Sequence, residues 1–128
     1  MRVEVLQVIS PERKIVSFMC DFGSAFARWM GVDPVGAGEF NVEIEVPEEV
    51  AAWSVTSSDR ASISSLDENS NILIVGEVVR FDEGDPVVEV RVGTDIILIE
   101  MKHPRDGLSV NGFISFKVPE IQLYPYNI

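Results

Sequence analysis

Alternation of apolar and polar residues with a period of two runs through most of the 128-residue chain and limits the folds it can adopt. The clearest case is the stretch NVEIEVPEEV, in which Val42, Ile44 and Val46 alternate with Glu43 and Glu45. Successive side chains of a β-strand point to opposite faces, so this stretch predicts a strand with one face on a core and carboxylates on the other. The pattern leaves open whether those acids only keep the protein soluble or contact a partner.

Turn residues divide the chain into seven or eight strands of this kind. Gly93-Thr94 separates VVEVRV from DIILIEM and predicts a two-residue hairpin loop, and residues 82–86 form a longer polar turn. Residues 54–71, rich in Ser, Asp and Asn, fit either an edge strand with polar flanks or a loop. So many strands in this length predict a single domain over residues 1–128, a small closed or partly open antiparallel β-barrel or sandwich in which both halves of the chain take part.

One segment has the spacing of a short helix. In GSAFARWMG, Ser24 could cap the first turn, while Phe26, Trp29 and Met30 fall on one side at helical spacing. Gly31 and the following Asp-Pro would end the helix after two turns. We therefore expect one short helix beside the strands.

The C-terminal half resembles the oligonucleotide- and oligosaccharide-binding (OB) barrel. The resemblance covers Ile72 to Tyr124 and rests on a long strand interrupted by Gly76, two hairpins and two further strands. A glycine in such a strand commonly marks a bulge or a sharp bend. The segment departs from the OB pattern because residues 103–112 are too short for the usual helix and because the basic, aromatic binding face is missing.

The charge balance bears on the class of partner. Ten Lys and Arg against 21 Asp and Glu give a formal net charge of -11. A chain this acidic, without a basic cluster, is repelled by nucleic-acid phosphates and by anionic lipid surfaces. Neither nucleic acid nor a membrane is therefore an expected partner.

The single cysteine and the first residues bear on the compartment. Cys20 has no second cysteine to pair with, which favours a reduced compartment. MRVEVLQVIS lacks the apolar run of a signal peptide, and no stretch is long enough to span a membrane as a helix. The sequence therefore predicts a cytoplasmic protein.

The residues that catalysis usually requires are scarce and scattered. His103 is the only histidine and precedes a proline in a predicted loop, while Cys20 sits in an apolar strand as a small hydrophobic residue. Residues 82–85, DEGD, lack the alternating ligands of a calcium loop, and PVGAG lacks the third glycine of a dinucleotide site. The sequence predicts no catalytic residue, metal or cofactor, and hence no enzyme.

A second resemblance concerns the whole chain. FNVEIEVPEEVAAW together with the C-terminal GFISFKVPEIQLYPYNI resembles a group of small uncharacterised bacterial proteins, some encoded beside toxin genes as candidate immunity proteins. The resemblance implies a protein that binds and neutralises a toxin. It does not identify the toxin or the oligomeric state.

Candidate binding residues follow from charge and from the residue types that dominate protein interfaces. Trp and Arg are enriched at interface hot spots, and acids steer a basic partner. The candidates are Glu43, Glu45, Glu48, Glu49, Arg28, Trp29 and Trp53. For the tryptophans the alternative is a place in the core, and for the acids a solvated surface. The sequence thus predicts an immunity-type inhibitor of a protein with a basic surface, or alternatively an OB-like module for a small molecule or sugar.

Overall fold

Eleven β-strands and no helix make up the regular structure of the described residues. The computed structural model describes residues 1–32, 35–102 and 105–126. The strands are β1 (Arg2–Ser10), β2 (Ile15–Cys20), β3 (Gly23–Trp29), β4 (Gly38–Glu45), β5 (Ala52–Thr56), β6 (Ser62–Ser64), β7 (Ile72–Phe81), β8 (Val87–Val92), β9 (Asp95–Glu100), β10 (Phe113–Val118) and β11 (Gln122–Tyr126). The predicted all-β class is confirmed, but there are more strands than the predicted seven or eight.

The predicted short helix is wrong, because its residues form strand β3. Ala25, Ala27 and Trp29 are buried whereas Phe26 and Arg28 lie on the opposite face, which is the period of a strand. β3 pairs with β2 along its length after a two-residue turn. An isolated two-turn helix is marginal in water because nucleation is costly, so the adjacent hydrogen-bonding partner decides the conformation.

The closed barrel is built from the first four strands and the last one. Its order is β1, β2, β3, β11, β4 and back to β1. All neighbours are antiparallel except β3 and β11, which run parallel, so the predicted barrel is not antiparallel throughout. The expectation that both halves of the chain take part in the barrel holds only for β11, since the residues between β4 and β11 form a second sheet.

The second sheet has six strands in the order β5, β10, β7, β8, β9, with β6 also paired to β7. It contains most of the segment that resembles an OB barrel, and only β11 of that segment joins the closed barrel. Gly76 lies in β7 where the pairing with β6 ends and that with β8 begins. A Cβ atom there would lie 2.5 Å from the Val90 Cγ1 and 2.8 Å from the Arg91 carbonyl oxygen, so glycine lets β8 approach. The bulge itself lies at residues 78–80.

Strand β6 connects the two sheets. The amide of Ile63 donates to the carbonyl of Phe22 at 3.0 Å, and that of Ser65 donates to the carbonyl of Ser24 at 3.2 Å. The Ile63 side chain is fully buried in a core cluster that includes residues of both sheets. The polar segment that the sequence left open therefore contains an edge strand, β5, and this connecting strand.

Candidate partner-binding site

Strand β4 presents the predicted row of carboxylates on the outside of the barrel. Val42 and Ile44 point into the core, and Glu43 and Glu45 are exposed. Among the described residues the side chain of neither glutamate forms an ion pair or a hydrogen bond, although the backbones of both pair with β11. Their charges are therefore available to a partner.

The neighbouring strand β11 carries a polar network beside these acids. Glu43 lies opposite Tyr124 and Glu45 opposite Gln122 in the antiparallel ladder. The Tyr124 hydroxyl donates to the Gln122 side chain, which donates to Glu120, both at 3.2 Å. This network stabilises the polar side chains along one border of the acidic row.

The candidate Arg28 belongs to the same network. Its guanidinium contacts the Glu120 carboxylate with N–O distances of 2.9 and 3.0 Å, and the side chain is partly buried. Arg28 is separated from β4 by β11. Its charge is neutralised within the chain, so Arg28 contributes to the structure of this face more than to the charge that a partner meets.

A groove of 460 Å³ separates β4 from β9, the edge strand of the second sheet. Residues 42–46 form one wall, and residues 94–98 form the other. At one end the Met1 amine donates to the Val42 carbonyl at 2.8 Å and contacts the Asp95 carboxylate at 3.2 Å. Just beyond the other end the Val50 amide donates to the Glu100 carbonyl at 2.8 Å. Contacts between the two sides therefore lie at one end of the groove and just beyond the other.

The β9 wall is apolar and partly open to solvent. Ile97 and Ile99 are buried, whereas Ile96 and Leu98 are 41% and 58% exposed. The groove thus combines exposed aliphatic side chains on one wall with two carboxylates on the other. No residue of this wall was among the predicted site residues, although DIILIE, apolar on both faces, is unusual for a strand with one face in water.

The remaining predicted acids lie beyond the far end of the groove. Glu48 and Glu49 follow β4 and are exposed, and Glu49 pairs with Lys102 at 3.3 Å. Lys102 also lines a shallow depression with residues 83–86 of the β7–β8 turn. The structure therefore brings the two acidic segments of the sequence near one lysine, which neutralises part of their charge.

The two tryptophans occupy different environments. Trp29 is 4% exposed and packs edge-on against Phe40, with ring centroids 4.8 Å apart. It is thus a core residue of the barrel, the alternative that the sequence had left open, and presents no indole surface to a partner. Trp53 in β5 is partly buried against the core, opposite Phe116 of β10. It lies across the second sheet from β9, away from the groove.

The acidic turn at residues 82–85 surrounds the side chain of an arginine, Arg105. Arg105 is 8% exposed, and its guanidinium donates to the carbonyls of Asp82, Glu83 and Asp85 at 2.9 to 3.2 Å. It also lies over the Phe81 ring, 5.6 Å from its centroid. Within the described ranges, no group of His, Cys, Asp or Glu is arranged to hold a metal ion. The turn carbonyls bind an internal guanidinium.

Of the two residues considered for nucleophilic chemistry, Cys20 and His103, the structure describes only Cys20. Burial raises the pKa of the Cys20 thiol, and backbone hydrogen bonds from residues 22 and 23 only partly oppose this. The thiol is therefore neutral and weakly nucleophilic near pH 7. His103 lies outside the described residues.

Comparisons with family models, with curated proteins and with solved structures found no match. The resemblances to candidate immunity proteins and to OB barrels stay predictions. Within the described ranges, no helix has the length and apolar character needed to cross a membrane.

Proposed function

We propose that this protein is a non-enzymatic inhibitor that binds a basic protein through the β4–β9 groove and its acidic wall. The observation that carries the proposal is the pairing of uncompensated Glu43 and Glu45 with exposed Ile96 and Leu98 across one groove. A basic partner would gain charge complementarity from the first wall and apolar burial from the second. Electrostatic complementarity speeds association and selects the partner, while apolar contact slows dissociation.

The proposed role is that of an immunity protein for a toxin whose working surface is basic. A net charge of -11 attracts such a surface over several ångströms and repels acidic competitors. Inhibition would follow from occlusion, since a toxin surface held against the groove is closed to its own substrate. The resemblance of the chain to candidate immunity proteins supports this role, which we place in the cytoplasm.

The test uses charge-neutral variants of the immobilised protein. The double variant Glu43→Gln, Glu45→Gln removes the groove charges, and Glu4→Gln, Glu12→Gln removes two exposed charges elsewhere on the barrel. Lysate of the producing organism is passed over each at low and high salt, and retained proteins are identified by mass spectrometry. We expect one stoichiometric basic protein that is retained by the wild type and the control but lost from the groove variant.

The inhibitory role is tested with the captured protein itself. Its expression alone should arrest growth, and co-expression of the wild-type chain should restore it, whereas the groove variant should restore it less. A captured protein that does not impair growth would contradict the immunity role. Equal retention by the groove variant and the control would contradict the assignment of the groove.

An OB-like module for a small molecule or sugar is the second candidate. A volume of 460 Å³ lies within the range of about 300 to 1,000 Å³ typical of small-molecule sites, and five strands is the number of an OB barrel. However, Tyr126 is the only exposed aromatic residue among those described, so a stacking platform for sugars has little support. Saturable binding of a sugar or metabolite that shifts the amide resonances of residues 94–98 would favour this candidate.

A further inference from the structure

The backbone edge of β9 is open toward the groove. β8 and β9 are joined by a two-residue loop, so Val92 and Asp95 close the hairpin as a hydrogen-bonded pair. The amides and carbonyls of every second residue of β9 then point away from β8. These residues are Ile96, Leu98 and Glu100. The Glu100 carbonyl confirms this direction because it accepts the Val50 amide. Among the described residues nothing bonds to the outward backbone groups of Ile96 and Leu98.

The β4 wall has an unpaired backbone position of the same kind. Val42 exchanges hydrogen bonds with Met1 on the side of β4 that faces away from β11. Because backbone direction alternates along a strand, Ile44 directs its amide and carbonyl to this side too. No described strand pairs with Ile44 there. Both walls of the groove thus offer backbone donors and acceptors to an extended chain.

The side chains around this opening favour a particular occupant. On the outer side of the groove, a strand placed along β9 would lie between the carboxylates of Glu43 and Glu45 and the exposed side chains of Ile96 and Leu98. Lys and Arg have aliphatic stems and charged ends, so they match an apolar wall on one side and an acidic wall on the other. Residues alternating with them would face the core side and need apolar side chains.

We infer that β9 takes up an extended segment of the partner protein as an additional strand, with Lys or Arg at alternate positions and apolar residues between them. The inference rests on the proposed function and specifies how the partner binds. Strand addition to a sheet edge gains affinity from main-chain hydrogen bonds and specificity from alternate side chains. A second copy of this chain is disfavoured as the occupant, because it would bring a net charge of -11 and set carboxylates against carboxylates.

The test uses a capped synthetic peptide of alternating Lys and Val as the probe, titrated into the full-length protein labelled with ¹⁵N. The decisive variant is Leu98→Pro, which removes an outward amide that takes no part in the pairing with β8. The groove variant Glu43→Gln, Glu45→Gln tests the charge, and Glu4→Gln, Glu12→Gln is its control. A peptide of the same composition with Lys and Val in blocks tests the alternation.

We expect slowed amide exchange at Ile96 and Leu98 on binding, and nuclear Overhauser contacts between the peptide and the β9 backbone. Leu98→Pro should weaken binding about tenfold, since it removes a main-chain bond and obstructs the edge. The groove variant should weaken it about fivefold at low salt, while its control and the wild type should bind alike. The block peptide should bind more weakly.

Two outcomes separate failure of this inference from failure of the proposed function. If Leu98→Pro binds the peptide and the captured basic protein as well as the wild type while the groove variant does not, strand addition is refuted and the acidic groove stands. If the groove variant also binds both like the wild type, the proposed function fails as well. If instead the wild type forms a concentration-dependent dimer that Leu98→Pro abolishes, the strand added to β9 comes from a second copy of this chain and not from a basic partner.

Discussion

In the closed barrel every strand is paired on both sides, from β1 beside β4 round to β11. In the second sheet the edge strands β5 and β9, and the short strand β6, pair with one neighbour each. Closure removes free edges altogether, while an open sheet leaves rows of backbone groups that can pair with another chain. The difference assigns distinct roles to the two regions. The barrel positions β4 and its acids, and the open sheet supplies the edge next to them.

The two edges of the second sheet also differ from each other. β5 has the sequence AWSVT and is short, with Val55 as its one large exposed aliphatic side chain. β9 has the sequence DIILIE, with two exposed aliphatic side chains between terminal acids. Charges at strand ends discourage pairing with a like-charged copy. The apolar edge of β9 thus lies beside the carboxylates of Glu43 and Glu45, which favour a basic segment over an acidic one.

The largest effect should come from equivalent deletions in the two regions. Phe18 in the barrel and Phe116 in the second sheet are both almost fully buried in the same core cluster. Replacing either with alanine should lower the free energy of unfolding by about 3 to 5 kcal/mol through lost burial and a residual cavity. Urea unfolding followed by circular dichroism measures both losses.

The same pair of variants tests whether barrel and sheet unfold together. In a Trp53→Phe background the fluorescence reports on Trp29 in the barrel, and in a Trp29→Phe background it reports on Trp53 in the second sheet. One continuous core predicts coincident transitions from both probes. A Phe116→Ala transition that moves the Trp53 signal but leaves the Trp29 signal in place would show that the two regions are energetically separate.

A smaller loss is expected at the β7–β8 turn of the second sheet. Arg105→Ala removes the buried guanidinium that donates hydrogen bonds to three carbonyls of the turn. The free energy of unfolding should fall by about 1.5 to 3 kcal/mol, the range for hydrogen bonds to a charged group. Arg60→Ala, at an exposed arginine, should change it by less than about 0.5 kcal/mol. Equal effects of the two substitutions would contradict the structural role of Arg105.

The edge position itself should tolerate proline. Leu98→Pro should cost about 1 kcal/mol or less, because its amide faces the groove and its side chain is exposed. Ile97→Pro should cost about 3 kcal/mol or more, since that amide bonds to β8 and the side chain is buried. Thermal unfolding of the two variants compares them. Similar losses from both would mean that the assigned direction of the β9 amides is wrong.

The sequence predicted the strand class well because alternation is a local property of each segment. The Gly93-Thr94 hairpin is confirmed, since loop residues determine it directly. The helix prediction failed because the spacing of Phe26 and Trp29 suits a helix, whereas Ala25, Ala27 and Trp29 alternate with the period of a strand. The adjacency of β2 decides between the two. The closure of the barrel by β11 depends on pairings such as Gln122 with Arg28 of β3 and Tyr126 with Asn41 of β4, which are distant in the sequence and which no local pattern encodes.

The site was predicted only in part for the same reason. Exposure of Glu43 and Glu45 follows from their alternation with buried valine and isoleucine on β4. The role of β9 could not be predicted, because whether DIILIE lies inside a sheet or at its edge depends on the order of the strands. Trp29 shows the converse, since its residue type suggested an interface while its position on the inner face of β3 places it in the core.

The smallest expected effect concerns pH and a single group at the end of β2. Burial raises the pKa of the Cys20 thiol above its ordinary value in the folded state, so the folded protein holds the proton more tightly than the unfolded chain. Below the unfolded pKa of about 8.5 this contribution to stability is fully present, and it is lost as the pH rises through the folded pKa. The free energy of unfolding should therefore decline slightly above about pH 8.5, and Cys20→Ala should remove that part of the decline. Urea unfolding at a series of pH values measures the difference between the two proteins, which isolates the thiol from the other titrating groups. An identical pH dependence for wild type and Cys20→Ala would mean that the thiol is solvated at the rim of the barrel, which would also make it open to thiol reagents.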